Sequence, residues 1–537
     1  MVNPTENESE ERRYHRQKED ICNILFEMFL VLRFCFDLLI DKIFGFCYKL
    51  DKITKIVTKV SNPIVLESAT TLARKIQKRE LTSEEIVQAF IDRIKEVNTI
   101  TNSIVDERFE EALKEAKQID LDIASGTILE VDFREKPFLG IPFTTKESVA
   151  CKDLAFTFGL KKRKGRKATF DADCVELLKK AGGILLGVSN IPQLNLWQET
   201  HNPVYGITNN PYDSSRNVGG SSGGESSIIA ACGSPLGIGT DIGGSLRIPS
   251  FMCGIFGHKT TCNVVPIKGL TFRTGLEKDT MVVAGPMVKY AEDLIPFLKV
   301  LAGTNVEKLH LDKPVPVQKL KVYYVTNPKD PFISPFRDEM KLIFKRTVNH
   351  FKEICDIKPE GLHFEDLKYT TKLWKYWMSQ EGSNFKNDIN DRQGEVNVIW
   401  EALKHFTFGG DYTTATIFNL INSLMKKVDE KWAIETTNTL KEALLTKLDE
   451  NSVLIYPSAP FPASYHHTAL LRPYNFNLFA IWNVLKFPVT QVPMGLGKEG
   501  LPLGIQVVAA PYQDRLCIAV AKELERQFGG YVVPVPV

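Results

Sequence analysis

The sequence predicts an α/β protein with a large, twisted, mixed central sheet covered by helices. Two observations support this. Short apolar runs bounded by Gly, Pro or Asn recur along the chain, and amphipathic helical patterns lie beside them. Alternation of this kind builds a sheet with helices packed on its faces. The chain has 537 residues and 43% hydrophobic content, which is enough to bury a large core.

The amino-terminal fifty residues divide into a polar part and an apolar part. Residues 1–20 are predicted to be a disordered tail, because they are mostly polar and charged. Residues 21–50 are strongly apolar, but four charged residues interrupt them: Glu27, Arg33, Asp37 and Asp41. On a helix these charges fall within one sector of about 120° and leave a broad apolar face. We therefore expect a helix that lies in a membrane surface or spans the membrane, with docking on the protein's own core as the alternative.

Residues 65–530 are expected to form one folded domain, since no linker divides them. The first helix is predicted to begin at Ser83, where Thr82 and Glu85 form a capping box. The later elements follow in chain order: a strand at 102–107, a helix at 107–119, a strand at 139–148, a helix at 174–181, strands at 182–190, 234–241, 487–496 and 502–510, and a helix at 517–528. The stretch 370–430 is richer in Trp, Phe and Asn and is predicted to be an inserted region.

Charge and cysteine content exclude several classes of protein. Lys and Arg number 67 against 65 Asp and Glu, and no basic segment carries interleaved aromatics, so we expect no nucleic-acid partner. The basic run at 161–167 is interpreted as a solvated loop, with a patch for an anionic ligand as the alternative. The ten cysteines lack metal-binding spacing, which predicts a reducing compartment and no bound metal.

The Gly- and Ser-rich segment 219–249 is the main candidate for a reactive site. A phosphate loop would need a Gly-Lys-Ser/Thr ending after these glycines, and none follows. Residues 220–224 fit the G-x-S-x-G pattern of a nucleophile elbow, which would make Ser222 the nucleophile of an α/β-hydrolase-like esterase. That motif needs an apolar strand leading into it, whereas polar residues precede this one.

A third interpretation of this segment, beside the phosphate loop and the nucleophile elbow, makes Ser245 the nucleophile. The predicted strand at 234–241 leads to Gly243 and Gly244, which lack side chains and can direct successive backbone N–H groups to one point. A serine hydroxyl is a weak nucleophile at neutral pH, so this interpretation also requires a base.

These motifs resemble those of the amidase signature family. The resemblance lies in G-G-S-S-G-G at 219–224, in G-T-D-I-G-G-S-L-R at 239–247 and in the spacing from Ser221 to Ser245. Upstream, "GIPFTTKES" is similar to the family's lysine-bearing strand, and downstream "GLPLGIQVV" is similar to its last sheet strand. The likeness covers residues 65–530 and implies the amidase signature fold. Within the family, the stretches "GGSSGGES", "GTDIGGSLRIPSFMCGIFGHK", "VVPIKG" and "GPMVKYAEDL" resemble those of the type 2 fatty-acid amide hydrolases.

The resemblance implies a Ser-Ser-Lys triad. Lys146 would be the base, Ser221, on a cis peptide bond, the proton relay, and Ser245 the nucleophile that forms the acyl-enzyme. The implied oxyanion hole consists of four backbone N–H groups, those of Ile242, Gly243, Gly244 and Ser245. Three residues would support the site, Ser222 as a hydrogen-bond partner and Asp241 and Arg247 as an ion pair. To accept a proton Lys146 must be neutral, so the fold must lower its pKa by about three units.

The implied activity is that of a membrane-associated serine hydrolase. It would cleave fatty-acid amides, such as N-acylethanolamines and primary amides, to a fatty acid and an amine, with no cofactor and no metal. The expected partners are the lipid-amide substrate and an intracellular membrane, either an endomembrane or a lipid droplet, and a homodimer is left open. The apolar stretch 412–427 is either a core helix or part of a membrane-facing entrance. The alternative functions are an amidotransferase-type subunit and the esterase that uses Ser222.

Overall fold

The computed structural model describes residues 4–50, 54–382 and 384–534, with side chains from residue 27 onward. The strands of the described chain are β1 Ile104–Glu107, β2 Pro142–Lys146, β3 Ile184–Ser189, β4 His201–Asn202, β5 Gly206–Ile207, β6 Leu236–Asp241, β7 Phe256–Lys259, β8 Val283–Val288, β9 Lys321–Tyr324, β10 Glu360–Gly361, β11 Ser452–Pro457, β12 Val489–Leu496 and β13 Pro502–Val508. The α-helices are α1 Pro4–Leu50, α2 Ala69–Gln77, α3 Ser83–Thr101, α4 Phe109–Ala124, α5 Glu130–Glu135, α6 Asp173–Lys180, α7 Gly223–Ala230, α8 Arg247–Met252, α9 Leu294–Ala302, α10 Asp338–Ile354, α11 Thr370–Ser379, α12 Phe385–Asp388, α13 Val398–Thr407, α14 Thr414–Asn422, α15 Glu430–Leu445, α16 Asn477–Val484 and α17 Asp514–Phe528. Short 3-10 helices connect several of these elements.

Eleven strands form one mixed sheet in the order β1-β3-β2-β6-β8-β7-β12-β13-β11-β9-β10. Strand β2 runs parallel to β3 and β6, and β9 runs parallel to β10 and β11. The other neighbours in the sheet are antiparallel. The predicted large mixed sheet covered by helices is therefore confirmed. Because β2, β3 and β6 are parallel, their carboxyl ends lie at one edge of the sheet, and the candidate site forms there.

Most predicted elements are present with shifted ends. Helix α3 begins at Ser83 behind the predicted capping box, in which Thr82 and Glu85 exchange both hydrogen bonds. The strands predicted at 139–148, 182–190 and 234–241 are β2, β3 and β6, each of which is buried along its whole length. Burial of both faces explains why apolar and polar residues do not alternate along these strands.

Helix α1 differs from the prediction at its amino-terminal end. The sequence predicts disorder for residues 1–20, whereas the helix extends back to Pro4, and residues 1–3 lie outside the described part of the chain. No Gly or Pro follows Pro4 in this stretch, and its Glu, Arg, Lys and Gln residues favour helices. In the described part of the chain, no helix has an apolar stretch long enough to cross a membrane.

The charged face of α1 lies on the rest of the protein, and its apolar face is exposed. Arg472 Nη2 lies 2.5 Å from Asp41 Oδ1, and Arg337 pairs with the same carboxylate. Asp37 is 5% exposed and lies 3.7 Å from Arg472 Nε. On the opposite face, Leu32 and Phe46 are 68% and 64% exposed. The helix therefore docks through its charges, which is the reverse of the apolar docking considered as the alternative.

The region 385–422 packs as a small core of its own. Ile389, Val398, Ile417 and Leu420 are buried there together with residues of the 158–194 segment. On the outer side of α13, of α14 and of the residues directly after each helix, eight apolar side chains are exposed: Ile399, Trp400, Leu403, Phe406, Phe408, Ile421, Leu424 and Met425.

The basic run at 161–167 is only partly the solvated loop that the sequence predicts. Arg163 is buried, forms an ion pair with Asp391 at 2.7 Å and places its guanidinium 4.1 Å from the centre of the Phe158 ring. The prediction of a solvated side chain is therefore wrong for Arg163, because the carboxylate of Asp391, more than 200 positions away in the chain, compensates its charge.

Candidate active site

Lys146 is the last residue of β2, and its side chain is completely buried. Its Nζ lies 2.9 Å from Ser221 Oγ and donates a hydrogen bond to Thr240 Oγ1 at 2.7 Å. Burial lowers the pKa of this amine from 10.5 to about 7, although the carboxylates of Asp241, Glu225 and Glu147 oppose the shift. Desolvation makes the largest contribution to this shift. It lowers the pKa because the loss of water destabilises only the charged form of the amine. This lowering of the pKa has the direction, and roughly the three-unit size, that a neutral amine near pH 7 requires.

Ser221 lies between the glycines of segment 219–224 and the start of α7 at Gly223. The peptide bond between Gly220 and Ser221 is cis, as the resemblance implied. Both Ser221 and Ser222 are buried. The backbone N–H of Ser222 donates to the carbonyl oxygen of Ser245 at 2.9 Å, so this segment is directly attached to the loop that carries Ser245.

Ser245 lies between β6 and α8 and is 9% exposed. Gly244, just before it, has a φ of +109°, a backbone conformation that side-chain-bearing residues rarely adopt. The predicted ion pair is present: Arg247 Nε lies 3.0 Å from Asp241 Oδ2, and both side chains are fully buried. Asn483 also donates to Asp241 Oδ1 at 2.9 Å, and Arg247 donates to Asn483 Oδ1 at 2.7 Å. A buried, fully paired carboxylate therefore holds the ends of this loop together.

One member of the predicted oxyanion hole is already engaged. The N–H of Gly244 donates to Asp241 Oδ1 at 2.7 Å, because the turn directs it back towards the end of β6. The prediction of four N–H donors is corrected in this respect. Among the described residues, none accepts a hydrogen bond from the N–H groups of Ile242, Gly243 or Ser245.

Ser222 does not occupy the position that a nucleophile elbow requires. The element before it is a loop rather than a strand, and its Oγ lies 3.4 Å from both the N and the O atom of Thr240. His258, one of the downstream histidines, is engaged elsewhere, since its ring nitrogens contact Thr490 and Asp514. Ser222 therefore connects two segments of the site, which agrees with a supporting position.

Two polar residues of the site were missed in the sequence. Thr240 provides an acceptor for the amine of Lys146, and its place beside Asp241 in the G-T-D motif was the available signal. Glu225 is fully buried, accepts hydrogen bonds from Thr144 at 2.5 Å and Ser189 at 2.7 Å, and burial raises its pKa to about 7. No pattern in the sequence indicates that this carboxyl group faces the lysine.

Aromatic residues from distant parts of the chain cover the loop that carries Ser245. Trp374 of α11 donates from Nε1 to the carbonyl oxygen of Ile242 at 2.9 Å. A Cβ atom on Gly243 would lie 2.9 Å from the same Nε1, so the close approach of the indole requires glycine there. Phe476 packs edge-on against Trp374 at 5.0 Å, and Phe479 of α16 lies against Gly244. The surface beside the loop is therefore apolar, apart from the indole N–H.

The arrangement is suited to proton transfer. It combines a buried amine with a pKa close to neutrality, a hydroxyl in contact with it, and backbone N–H groups beside a second serine. A cleft next to the loop that carries Ser245 is lined by Ile248, Phe461, Phe476, Phe479 and Arg472. Arg472 also forms the ion pair with Asp41 of α1.

Comparison with known proteins agrees with this geometry. Residues 85–518 match the family model described as Amidase. The chain is 41% identical over 484 residues to "Fatty-acid amide hydrolase 2-A" of Danio rerio, covering 88% of this chain and 91% of that protein. It is 40% identical over 488 residues to "Fatty-acid amide hydrolase 2" of Homo sapiens, again covering 88% of this chain and 91% of the relative. A solved structure titled "Fatty acid amide hydrolase" has the same fold, with a TM-score of 0.69 at 20% identity over 91% of this chain and 89% of that one.

Proposed function

Because the chain belongs to the amidase family, it is a hydrolase of amide bonds, and we propose that it cleaves fatty-acid amides through an acyl-enzyme on Ser245. The substrates are N-acylethanolamines and primary fatty-acid amides, and the products are a free fatty acid and an amine. The observation that carries the proposal is the contact between the buried amine of Lys146 and Ser221 Oγ at 2.9 Å.

In the proposed reaction the neutral amine of Lys146 accepts the Ser221 proton as Ser221 takes up the proton of Ser245. The Ser245 oxygen attacks the amide carbonyl, and the free N–H groups of Ile242, Gly243 and Ser245 stabilise the oxyanion that forms. The protons return along the same path, so that Ser221 protonates the leaving amine as the C–N bond breaks. Water then attacks the acyl-enzyme, releases the fatty acid and restores the Ser245 hydroxyl.

The buried ion pair of Asp241 and Arg247 would position the loop for this reaction. Its carboxylate accepts a hydrogen bond from the Gly244 N–H, and Arg247 Nη1 donates to Gln506 Oε1 of strand β13 at 2.7 Å. Preorganised donors contribute most when they need not move during the reaction.

Two exposed apolar surfaces support a membrane-associated enzyme. The first is the outer face of α1, and the second is the outer face of α13 and α14. Groups of neighbouring exposed apolar side chains mark interaction sites on protein surfaces. A helix with one apolar face is suited to lie on the surface of a bilayer. We propose that both surfaces contact an intracellular membrane from which the lipid amide enters, with the region of α14 forming part of the entrance.

Labelling with a fluorophosphonate tests the nucleophile. We expect labelling of the wild type and of Ser222→Ala, and none of Ser245→Ala. Labelling that persists in Ser245→Ala and is lost in Ser222→Ala would instead establish the esterase mechanism. Thermal unfolding of each variant serves as the folding control.

Hydrolysis of a substrate panel tests the substrate class. The panel contains long-chain N-acylethanolamines, primary fatty-acid amides, a short-chain amide and glutamine. Release of ammonia from glutamine without hydrolysis of the long-chain amides would favour the amidotransferase-type subunit. Hydrolysis of the long-chain amides by the purified chain alone supports the proposal.

Flotation with liposomes tests the membrane surface. The variant Leu32→Ser/Phe46→Ser changes the exposed face of α1, and Lys42→Ser is the matched control on the same helix. We expect the double variant to lose most of its membrane binding while the control keeps it. Equal binding of both variants would contradict the role of this face.

A further inference from the structure

A cleft of about 450 Å³ lies between α10 and the strands β9, β11 and β13, and none of its lining residues belongs to the candidate active site. Its volume is within the range of roughly 300–1,000 Å³ that is typical of small-molecule sites. Met340, Phe344 and Val348 lie one turn apart on α10 and face the cleft. Tyr324 and Phe336 add aromatic surface from the other side. The interior of the cleft is therefore largely apolar.

A row of lysines runs along the opening of this cleft. Lys341, Lys345 and Lys352 line it and lie on one side of α10, next to the apolar row. None of the residues that line the cleft is acidic. Lys341 lies 3.4 Å from the largely exposed Asp338, whereas no carboxylate of the described chain lies within 4 Å of Lys345 or Lys352. The cleft thus combines an apolar interior with a positive edge at which two of the three lysines, Lys345 and Lys352, have no carboxylate partner among the described residues.

We propose that this cleft binds a long-chain carboxylate such as a free fatty acid. The apolar chain would lie along Phe344 and Phe336, where its burial is favourable in proportion to the area removed from water. The carboxylate would lie at the lysine row, where Lys345 and Lys352 donate charge-assisted hydrogen bonds to it. This binding site is separate from the proposed reaction, and its occupation does not depend on Ser245.

Photochemical labelling tests the site. The full-length protein is irradiated with palmitate that carries a diazirine near its methyl end, and the labelled peptides are identified by mass spectrometry. We expect label within the segments that line the cleft, at residues 324–352, 457–459 or 504–505. Excess oleate should displace it, whereas oleyl alcohol, which lacks the carboxylate, should displace it about tenfold less effectively. Label confined to other parts of the chain, or equal displacement by the two competitors, would overturn the proposal.

Substitution of the lysines provides a second measurement. The triple variant Lys341→Ala/Lys345→Ala/Lys352→Ala should lose most of the label in this region, and the corresponding Lys→Arg triple variant should retain it. Arg346→Ala is the matched control, because it removes a positive charge from the same helix outside the cleft. These side chains are exposed, so we expect unchanged thermal unfolding in every variant. Unchanged labelling of the alanine triple variant would show that the lysine row does not bind the probe.

Discussion

The buried amine of Lys146 should set the pH dependence of acylation. Burial lowers its pKa from 10.5 to about 7, and a shift of roughly 3.5 units corresponds to about 5 kcal/mol. At pH 7 about half of the molecules would hold a neutral amine, compared with about one in 3,000 for an unshifted lysine. Only the neutral amine accepts a proton, so we expect the rate to fall as the pH falls through about 7.

The variant Lys146→Met keeps a long side chain and removes the titratable group. We expect the rate of fluorophosphonate labelling to fall by about 10²–10⁴-fold, the usual contribution of a general base. The rate is measured from about pH 5.5 to about pH 9, where the wild type should show an inflection near 7 and the variant none. An inflection near pH 7 that persists in Lys146→Met would refute the assignment of the base.

Unfolding at different pH values measures the same shift independently. The folded-state pKa of Lys146 lies below its unfolded value, so the unfolded chain binds more protons between about pH 7 and about pH 10.5. The free energy of unfolding of the wild type, relative to Lys146→Met, should therefore rise with pH in this window and stay constant below about pH 7. A difference that does not change with pH would show that the amine is not desolvated.

Three further predictions concern the surroundings of the lysine. Thr240→Val removes the acceptor 2.7 Å from the amine and should lower the free energy of unfolding by about 1–3 kcal/mol in urea titrations, whereas an unchanged value would mean that water replaces the hydroxyl. Gly243→Ala would place a Cβ atom 2.9 Å from Trp374 Nε1 and should lower kcat by about 10–100-fold in amide hydrolysis; unaltered kcat would show that the indole can move away without effect. Asp241→Asn leaves the buried charge of Arg247 without its counter-ion and should cost about 3–5 kcal/mol in urea unfolding, and a loss below about 1 kcal/mol would contradict this pairing.

Ser245 could be singled out from local features of the sequence, because a predicted strand and two glycines stand directly before it. The roles of Lys146 and Ser221 came only from the resemblance to the amidase signature family, since no local pattern distinguishes either residue from an ordinary lysine or serine. Helix α3 was predictable at its start because a capping box is read within four residues. A strand that is recognised as part of the centre of the sheet is expected to be buried on both faces. Burial of β2 in turn lowers the pKa of Lys146.

The rest was decided by contacts between residues far apart in the chain. Helical periodicity shows that the charges of α1 share one face, but only Arg472 and Arg337 determine that this face is docked and the apolar face exposed. The position of Trp374 over the loop that carries Ser245 has no signal in the sequence, because nothing local to residue 374 indicates its neighbour at 242. Periodicity and motifs fix which side chains lie together on one element. What covers that face depends on the packing of distant segments, and this packing sets the burial, the charge pairing and the free N–H groups on which the proposed reaction depends.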